Sequence, residues 1–218
     1  MKIKQTGFTL VEIAIVLVII GLLLGGILKG QEMITQAKIK NVVNDFNGIT
    51  AALNSYQDRY RALPGDDVNA LSRWGVGVVN GNGDGQFGTA GTDFYNLTPA
   101  STAAAKENNL FWWHLRLAGF VGGSTAAASV SSVIQPANAA NGIMGVQTTG
   151  MGFTSNIVCS SNLPDKIAIA VDTQMDDGAA TSGQVRGMTQ AGPNPNPAVP
   201  NSAYAETGTN QYLLCKNL

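Results

Sequence analysis

The sequence predicts an α+β protein: a long N-terminal helix, apolar in its first half, packed on a small antiparallel-sheet head. Three observations predict it. Residues 8–28 are 21 positions with one charge, Glu12, and no proline. An apolar stripe then continues at helical spacing as far as Tyr60. Beyond residue 118 the apolar period changes to two, the signature of strands.

Composition narrows the function class. A length of 218 residues suits one ordinary domain, or one domain with an appendage. Charged residues are 12% of the chain, about half the usual share of roughly 25%. Lys+Arg 13 against Asp+Glu 14 gives a net charge of -1, so there is neither a basic field for nucleic acid nor an acidic tail. A single histidine, His114, excludes a His-rich metal site and leaves a His-based catalytic centre a poor fit. Two cysteines, Cys159 and Cys215, cannot form a zinc knuckle alone, and one disulfide in an oxidising compartment is the simpler reading. A non-enzymatic, exported protein is expected.

The helix comes first. Lys2 and Lys4 precede the apolar run, as in a secretory signal, but the run is too long for a signal core and lacks a small-residue cleavage site at its end. At about 1.5 Å per residue it spans roughly 31 Å, a bilayer core, so residues 8–28 read as a membrane anchor. Lys2 and Lys4 favour a cytoplasmic N-terminus, a vote weakened by Lys29, Lys38 and Lys40 beyond the run. Residues 29–60 continue the helix, with Val42, Phe46, Ile49, Leu53, Tyr56 and Tyr60 on one stripe and Asn41, Asp45, Gln57 and Asp58 opposite. Leu63-Pro64-Gly65 must end it. The expected helix, from near Phe8 to near Tyr60, is about 80 Å long.

Glu12 is out of place in such a segment, because a lone carboxylate in an apolar helix is costly. No lysine or arginine lies between residues 5 and 28, so a partner from another chain or a free amine is expected.

Gly7-Phe8-Thr9-Leu10-Val11-Glu12, after a short basic leader and before a long apolar helix, resembles the class III signal of type IV pilins and type II secretion pseudopilins. The resemblance covers about the first 60 residues. It implies that residues 1–7 are a leader, that a prepilin peptidase cuts between Gly7 and Phe8, and that Phe8 becomes the N-methylated terminus. Glu12 would then pair with the N-terminal amine of a neighbouring subunit. The implied partners are copies of this chain, related pilins, the peptidase and the inner membrane before assembly, with no specific nucleic acid. The implied location is the bacterial inner membrane as precursor, then an extracellular pilus or periplasmic pseudopilus. One departure is that many pilins carry a proline in this helix, where the chain has Gly21, Gly25, Gly26 and Gly30. Four-residue glycine spacing lets helices approach closely, and glycine costs about 1 kcal/mol each in a helix. Local unwinding on leaving the membrane is one reading and the ordinary abundance of glycine in membrane helices the other.

Residues 61–218 read as the head. After an irregular loop at Pro64-Gly65-Asp66-Asp67, the segment Asn80-Gly81-Asn82-Gly83-Asp84-Gly85-Gln86 resembles the first half of a calcium loop, with oxygens from Asn80, Asn82 and Asp84. Its twelfth position is Gly91, so a bidentate ligand must come from Asp66, Asp67, Asp93 or Glu107. Calcium is a possible ligand, with affinity of about 10⁻⁴–10⁻³ M, and no cofactor is required. The alternative is a turn-rich loop without metal.

Residues 102–118 form a second helical segment, capped by Ser101 or Thr102 and stopped at Gly119. Leu110, Trp113, His114 and Leu117 share a face; Trp112 and Trp113 read as core, and His114 receives no catalytic role. Strand candidates are 132–135, 143–148, 157–159, 166–173, 184–188 and 212–214. The best of them, 166–173, should form a hairpin with 184–186 through Asp176-Asp177-Gly178. Gln190 to Asn210, holding Pro193, Pro195, Pro197 and Pro200, reads as a long surface loop. A Cys159–Cys215 disulfide would enclose 55 residues and contribute about 4 kcal/mol on loop-closure arithmetic; pilins commonly carry such a C-terminal loop, and two free buried thiols are the alternative.

The expected function is structural: a filament subunit whose loss of residues 1–7 leaves 11 basic and 14 acidic side chains, net -3. The calcium loop leans toward a secretion pseudopilin, whereas the disulfide loop and the Pro-rich excursion lean toward a surface pilus. A membrane-tethered extracytoplasmic binding domain is the distant alternative.

Overall fold

The computed structural model describes residues 9–88, 105–127, 129–193 and 196–218. Contacts divide the chain into two compact units, residues 1–38 and 39–218. Helix α1, Leu10–Tyr60, is unbroken over 51 residues. In the first unit its large apolar side chains, from Leu10 to Leu28, stand exposed. It is long and apolar enough to cross a membrane, with a mean hydropathy of 2.8 over its most apolar window.

In the second unit the predicted stripe is the buried one. Val42, Phe46, Ile49, Leu53 and Tyr56 are at most 7% exposed, while Tyr60 is half-buried. They join a core with Phe111, Trp112 and Leu115 of α3 (Glu107–Leu117) and with Met144, Val146, Val158 and Leu214 of the sheet. The sheet has four antiparallel strands, β1 (Met144–Gly150), β2 (Phe153–Pro164), β3 (Val185–Thr189) and β4 (Gln211–Asn217), in the order β1-β2-β4-β3. Val158 and Leu214 face α1, while Ile157, Cys159, Leu213 and Cys215 form a second cluster with Met151 on the other face. That alternation is the period of two, with both faces buried.

Several elements differ from the sequence-based expectation. Residues 166–173 are not a strand but most of helix α4, Asp165–Met175, so the expected hairpin with 184–186 does not form. Ile167, Ala168, Val171 and Asp172 are its buried residues together with Asp165, a 1-4-5 helical spacing that the alternation Ile167, Ile169, Val171 mimics over one short run. Alanines at 168 and 170 favour the helix. Residues 132–135 are no strand either: a 3₁₀ turn covers Val130–Ser132, and among the described residues the pairing nearby is one isolated bridge, Ala137 to Ile143. Helix α3 starts at Glu107 rather than 102, because Ala105 and Lys106 are non-helical; the proposed caps Ser101 and Thr102 lie outside the described residues. Gly119 does follow the helix end, with φ 79°. A five-residue helix, α2 (Ala70–Trp74), occupies part of the expected loop.

The Pro-rich excursion is tied down along the described part of its length. Met151 donates its backbone N–H to the Pro197 carbonyl. The Tyr204 hydroxyl donates to Asp172 at 2.5 Å, and the Thr207 and Gly208 backbone N–H groups donate to Asp165 at 2.7 Å each. Two carboxylates about two turns apart on one face of α4 thus anchor the loop.

Candidate functional site

Gly7 and Phe8 lie outside the described residues. From Thr9 the geometry is a capping box: the Thr9 backbone N–H and hydroxyl donate to Glu12 Oε2 at 2.8 and 2.9 Å, and the Glu12 N–H donates to Thr9 Oγ1 at 3.3 Å. Glu12 therefore has donors within its own chain, besides the cation that a lone carboxylate in an apolar helix calls for. Thr9 was missed, although Thr9-Leu10-Val11-Glu12 ahead of an apolar run is the sequence signature of this cap. The cap neutralises no charge. It fixes the carboxylate beside Thr9, one residue from the expected cut, and leaves its other oxygen for a cation.

The glycines at 21, 25, 26 and 30 sit within unbroken helix, and a Cβ at any of them would touch nothing within 4 Å. Together with the exposed apolar surface of residues 10–28, the first unit presents a long lateral surface able to take lipid or other helices.

The acidic loop lies in the second unit. Asp66, Asp84 and Glu107 each place a carboxylate oxygen within 4.8 Å of the others. Asp66 accepts three backbone N–H bonds, from Gly83 at 2.5 Å, Asp84 at 3.1 Å and Gly85 at 2.8 Å. Glu107 accepts one from Asn82, and Asp84 accepts from Gln86 N–H and the Asn82 amide. Burial, reinforced by the nearby charges of Asp66 and Asp84, holds the Glu107 carboxyl above its ordinary range despite the Asn82 bond. With roughly four lone-pair sites per carboxylate, about six remain open among the three. Their oxygen-only chemistry and number suit calcium.

The side-chain oxygens of the other residues named from the sequence are engaged otherwise. Asn80 turns its Oδ1 to the Leu71 N–H of α2, and Asn82 Oδ1 accepts the Asp84 N–H. Asp93 is outside the described residues. Asp67 is fully buried and committed: it pairs with Arg73 and accepts from the Tyr56 hydroxyl and the Asn69 N–H at 2.8 Å each. Burial, chiefly, pushes the Tyr56 hydroxyl above its usual range.

His114 braces the same loop. Its Nδ1 accepts the Gly65 N–H and its Nε2 donates to the Val79 carbonyl, each at 2.9 Å. Burial, aided by the Arg73 charge, pushes its pKa down to about 4 against the Val79 bond, so the ring is neutral. Gly65, at φ 87°, is required there because a Cβ would lie 2.4 Å from the Glu107 carbonyl.

Cys159 and Cys215 are register partners on β2 and β4, bonded to each other with Cα atoms 4.0 Å apart. The sequence-based pairing is thus the one found.

Comparison with curated proteins and with solved structures gives no match. Residues 2–28 match the family described as the prokaryotic N-terminal methylation motif. The chain thus carries the prokaryotic N-terminal methylation motif at the head of a long apolar helix, a finding that supports a type IV pilin-like or pseudopilin-like precursor.

Proposed function

We propose that the chain is the structural subunit of a type IV pilus-like filament, cut after Gly7, N-methylated at Phe8 and assembled through the apolar half of α1. The observation that carries this reading is the continuity of the methylation motif at residues 2–28 with an unbroken helix whose apolar side chains stand exposed. Such a surface requires lipid before assembly and protein after it. The precursor would sit in the inner membrane and the product outside it. Glu12, held by Thr9, would receive the Phe8 ammonium of a neighbouring subunit, which couples charge neutralisation to register. The prepilin peptidase, copies of this chain and related pilins are the partners, and the role is structural rather than enzymatic.

The test is direct. Sheared filaments should contain this chain beginning at N-methyl-Phe8 by mass spectrometry, and Glu12→Ala should abolish filaments in electron micrographs while leaving the precursor in the membrane. An unprocessed Met1 on a monomeric membrane protein would sink the proposal; so would normal filaments from the Glu12→Ala chain.

A second reading, the periplasmic pseudopilus of a type II secretion system, is favoured by the Asp66, Asp84 and Glu107 cluster. If these residues hold calcium, with Asn82 beside them, millimolar calcium should raise the melting temperature of the protein, and Asp84→Ala should remove the rise. A melting temperature indifferent to calcium in both chains removes this support.

A further inference from the structure

Two features of the second unit have opposite shapes and the same apolar chemistry. The first is a tip. Trp74 ends α2, and Gly75-Val76-Gly77 follows, with both glycines at positive φ, 93° and 95°. Val76 between them is 100% exposed, and Leu71 on α2 is 44% exposed. A valine held wholly in water between two left-handed glycines gains no burial from its own head. The tip is nevertheless fixed. Gly75 donates its N–H to the Leu71 carbonyl at 2.9 Å, and Val78 donates to the Gly75 carbonyl at 3.3 Å. Gly77 lies against Ala127, where a Cβ would come within 2.8 Å of that methyl group. The Trp74 ring packs edge-on to Tyr60, at the end of α1, with centroids 5.5 Å apart. The Val76 and Gly77 N–H groups have no acceptor among the described residues.

The second feature is a groove of about 260 Å³ beside α1, walled by Ile49, Phe120, Val121 and Met144. Its polar side chains are Asn44, which is exposed, and Asp45, which is half-buried. The groove lies against residues 44–49 of α1, whereas the tip is joined through Trp74 to Tyr60. From Ile49 to Tyr60 the helix advances about 17 Å. A second copy displaced along α1 by roughly that distance or somewhat more brings its groove level with the tip.

We propose that Val76 of each copy enters the groove of a second copy, seated against Ile49, Phe120, Val121 and Met144. The Val76 and Gly77 N–H groups then meet acceptors at Asn44 and Asp45 on the rim, an apolar centre with a polar margin. Tip and groove are different patches of one surface, so the contact is heterologous and does not close: a copy whose groove is filled still presents its tip. One valine is far below the roughly 800 Å² per partner of a stable interface. The contact therefore sets the register of neighbouring heads, and it rests on the filament reading, in which α1 supplies the attraction.

Engineered cysteines report this contact, because Cys159 and Cys215 are bonded to each other and fully buried. Sheared filaments of the full-length chain carrying Val76→Cys and Val121→Cys should give, on mild oxidation, a ladder of covalent dimers, trimers and longer products. Either substitution alone should leave monomers, and filaments co-assembled from the two single variants should stop at dimers. No ladder from filaments that look normal in electron micrographs overturns the proposal and leaves the filament reading standing. Dimers from Val76→Cys alone also overturn it, because tip would then meet tip. Absence of filaments from the unaltered chain overturns both. Val76→Asp gives a readout that needs no cross-link. Its melting temperature should match the parent, since the side chain is wholly exposed, while filament yield should fall about tenfold or more, because a charge cannot enter the apolar groove. Parental filament yield from Val76→Asp refutes the contact.

Discussion

Burial of His114 between the Gly65 N–H and the Val79 carbonyl leaves room for the neutral ring only, and this makes stability depend on pH. The folded ring resists protonation until about pH 4, whereas the ordinary value is 6.5. Above pH 6.5 neither state binds the proton and the contribution is fully present. As pH falls through 6.5 the unfolded chain takes up a proton that the folded one refuses, so stability is lost progressively toward pH 4. Between pH 7 and pH 5 the loss should be about 2 kcal/mol, read from urea midpoints. His114→Gln should be less stable at pH 7 and lose less on acidification; equal losses in both chains would show that the slope comes from carboxylates instead. Asp67 is the second residue on which the loop depends, since Tyr56, Asn69 and Arg73 all converge on it. Asp67→Ala should cost roughly 3 kcal/mol, because it strands the Arg73 charge and the buried Tyr56 hydroxyl together. A denaturation midpoint within error of the parent would refute that accounting. Neither role is written in the sequence. His114 reads as one more position on an apolar helix face, and Asp67 as one of two adjacent acids.

Helix α1 was legible because its signal repeats: six stripe positions at alternating spacings of four and three leave no competing period. Helix α4 was misread because Ile167, Ile169 and Val171 satisfy a period of two over five residues, and only the burial of Ala168 and Asp172 reveals the helical face. β2 was read as three residues and extends over twelve, since the polar residues Ser160, Ser161 and Asn162 near its end hide it from an apolarity count. The glycines of α1 present an element-scale question that substitution can answer. A Cβ at Gly21 or Gly25 meets nothing in the isolated chain. The double change Gly21→Ala, Gly25→Ala should therefore strengthen the precursor helix, by about 1 kcal/mol at each site. In a filament the same methyl groups would hold neighbouring helices apart or resist unwinding. The expected outcome is unchanged precursor level and helicity with clearly fewer filaments per cell. Undiminished filaments would mean that these glycines serve neither close packing nor unwinding.

At the scale of the molecule, the chain closes its head with its own last strand. β4 is central in the order β1-β2-β4-β3 although it is last in sequence, and the excursion before it is held by Asp165 and Asp172 of α4. Placing the final strand in the middle makes the sheet depend on a long-range closure, which the Cys159–Cys215 bond secures on the face turned away from α1. The pairing could be foreseen because only two cysteines exist, whereas the strand order could not, because it depends on which segments meet across the core. The acidic cluster falls between these cases: Asp84 came from a turn motif, but its meeting with Asp66 and Glu107 required α3 to pack back on the loop. The disulfide removes chain freedom from the unfolded state over a loop of 55 intervening residues, for a contribution of about 4 kcal/mol. Reduction, or the pair Cys159→Ala and Cys215→Ala, should lower the unfolding free energy by that amount while leaving α1 helical, since no residue of that helix belongs to the second cluster. Loss should appear first as exchange of β3 and β4 amides with solvent, with protection of the α1 stripe surviving longer. Simultaneous loss of both sets of amides would mean instead that the sheet and the buried half of α1 unfold as one cooperative unit.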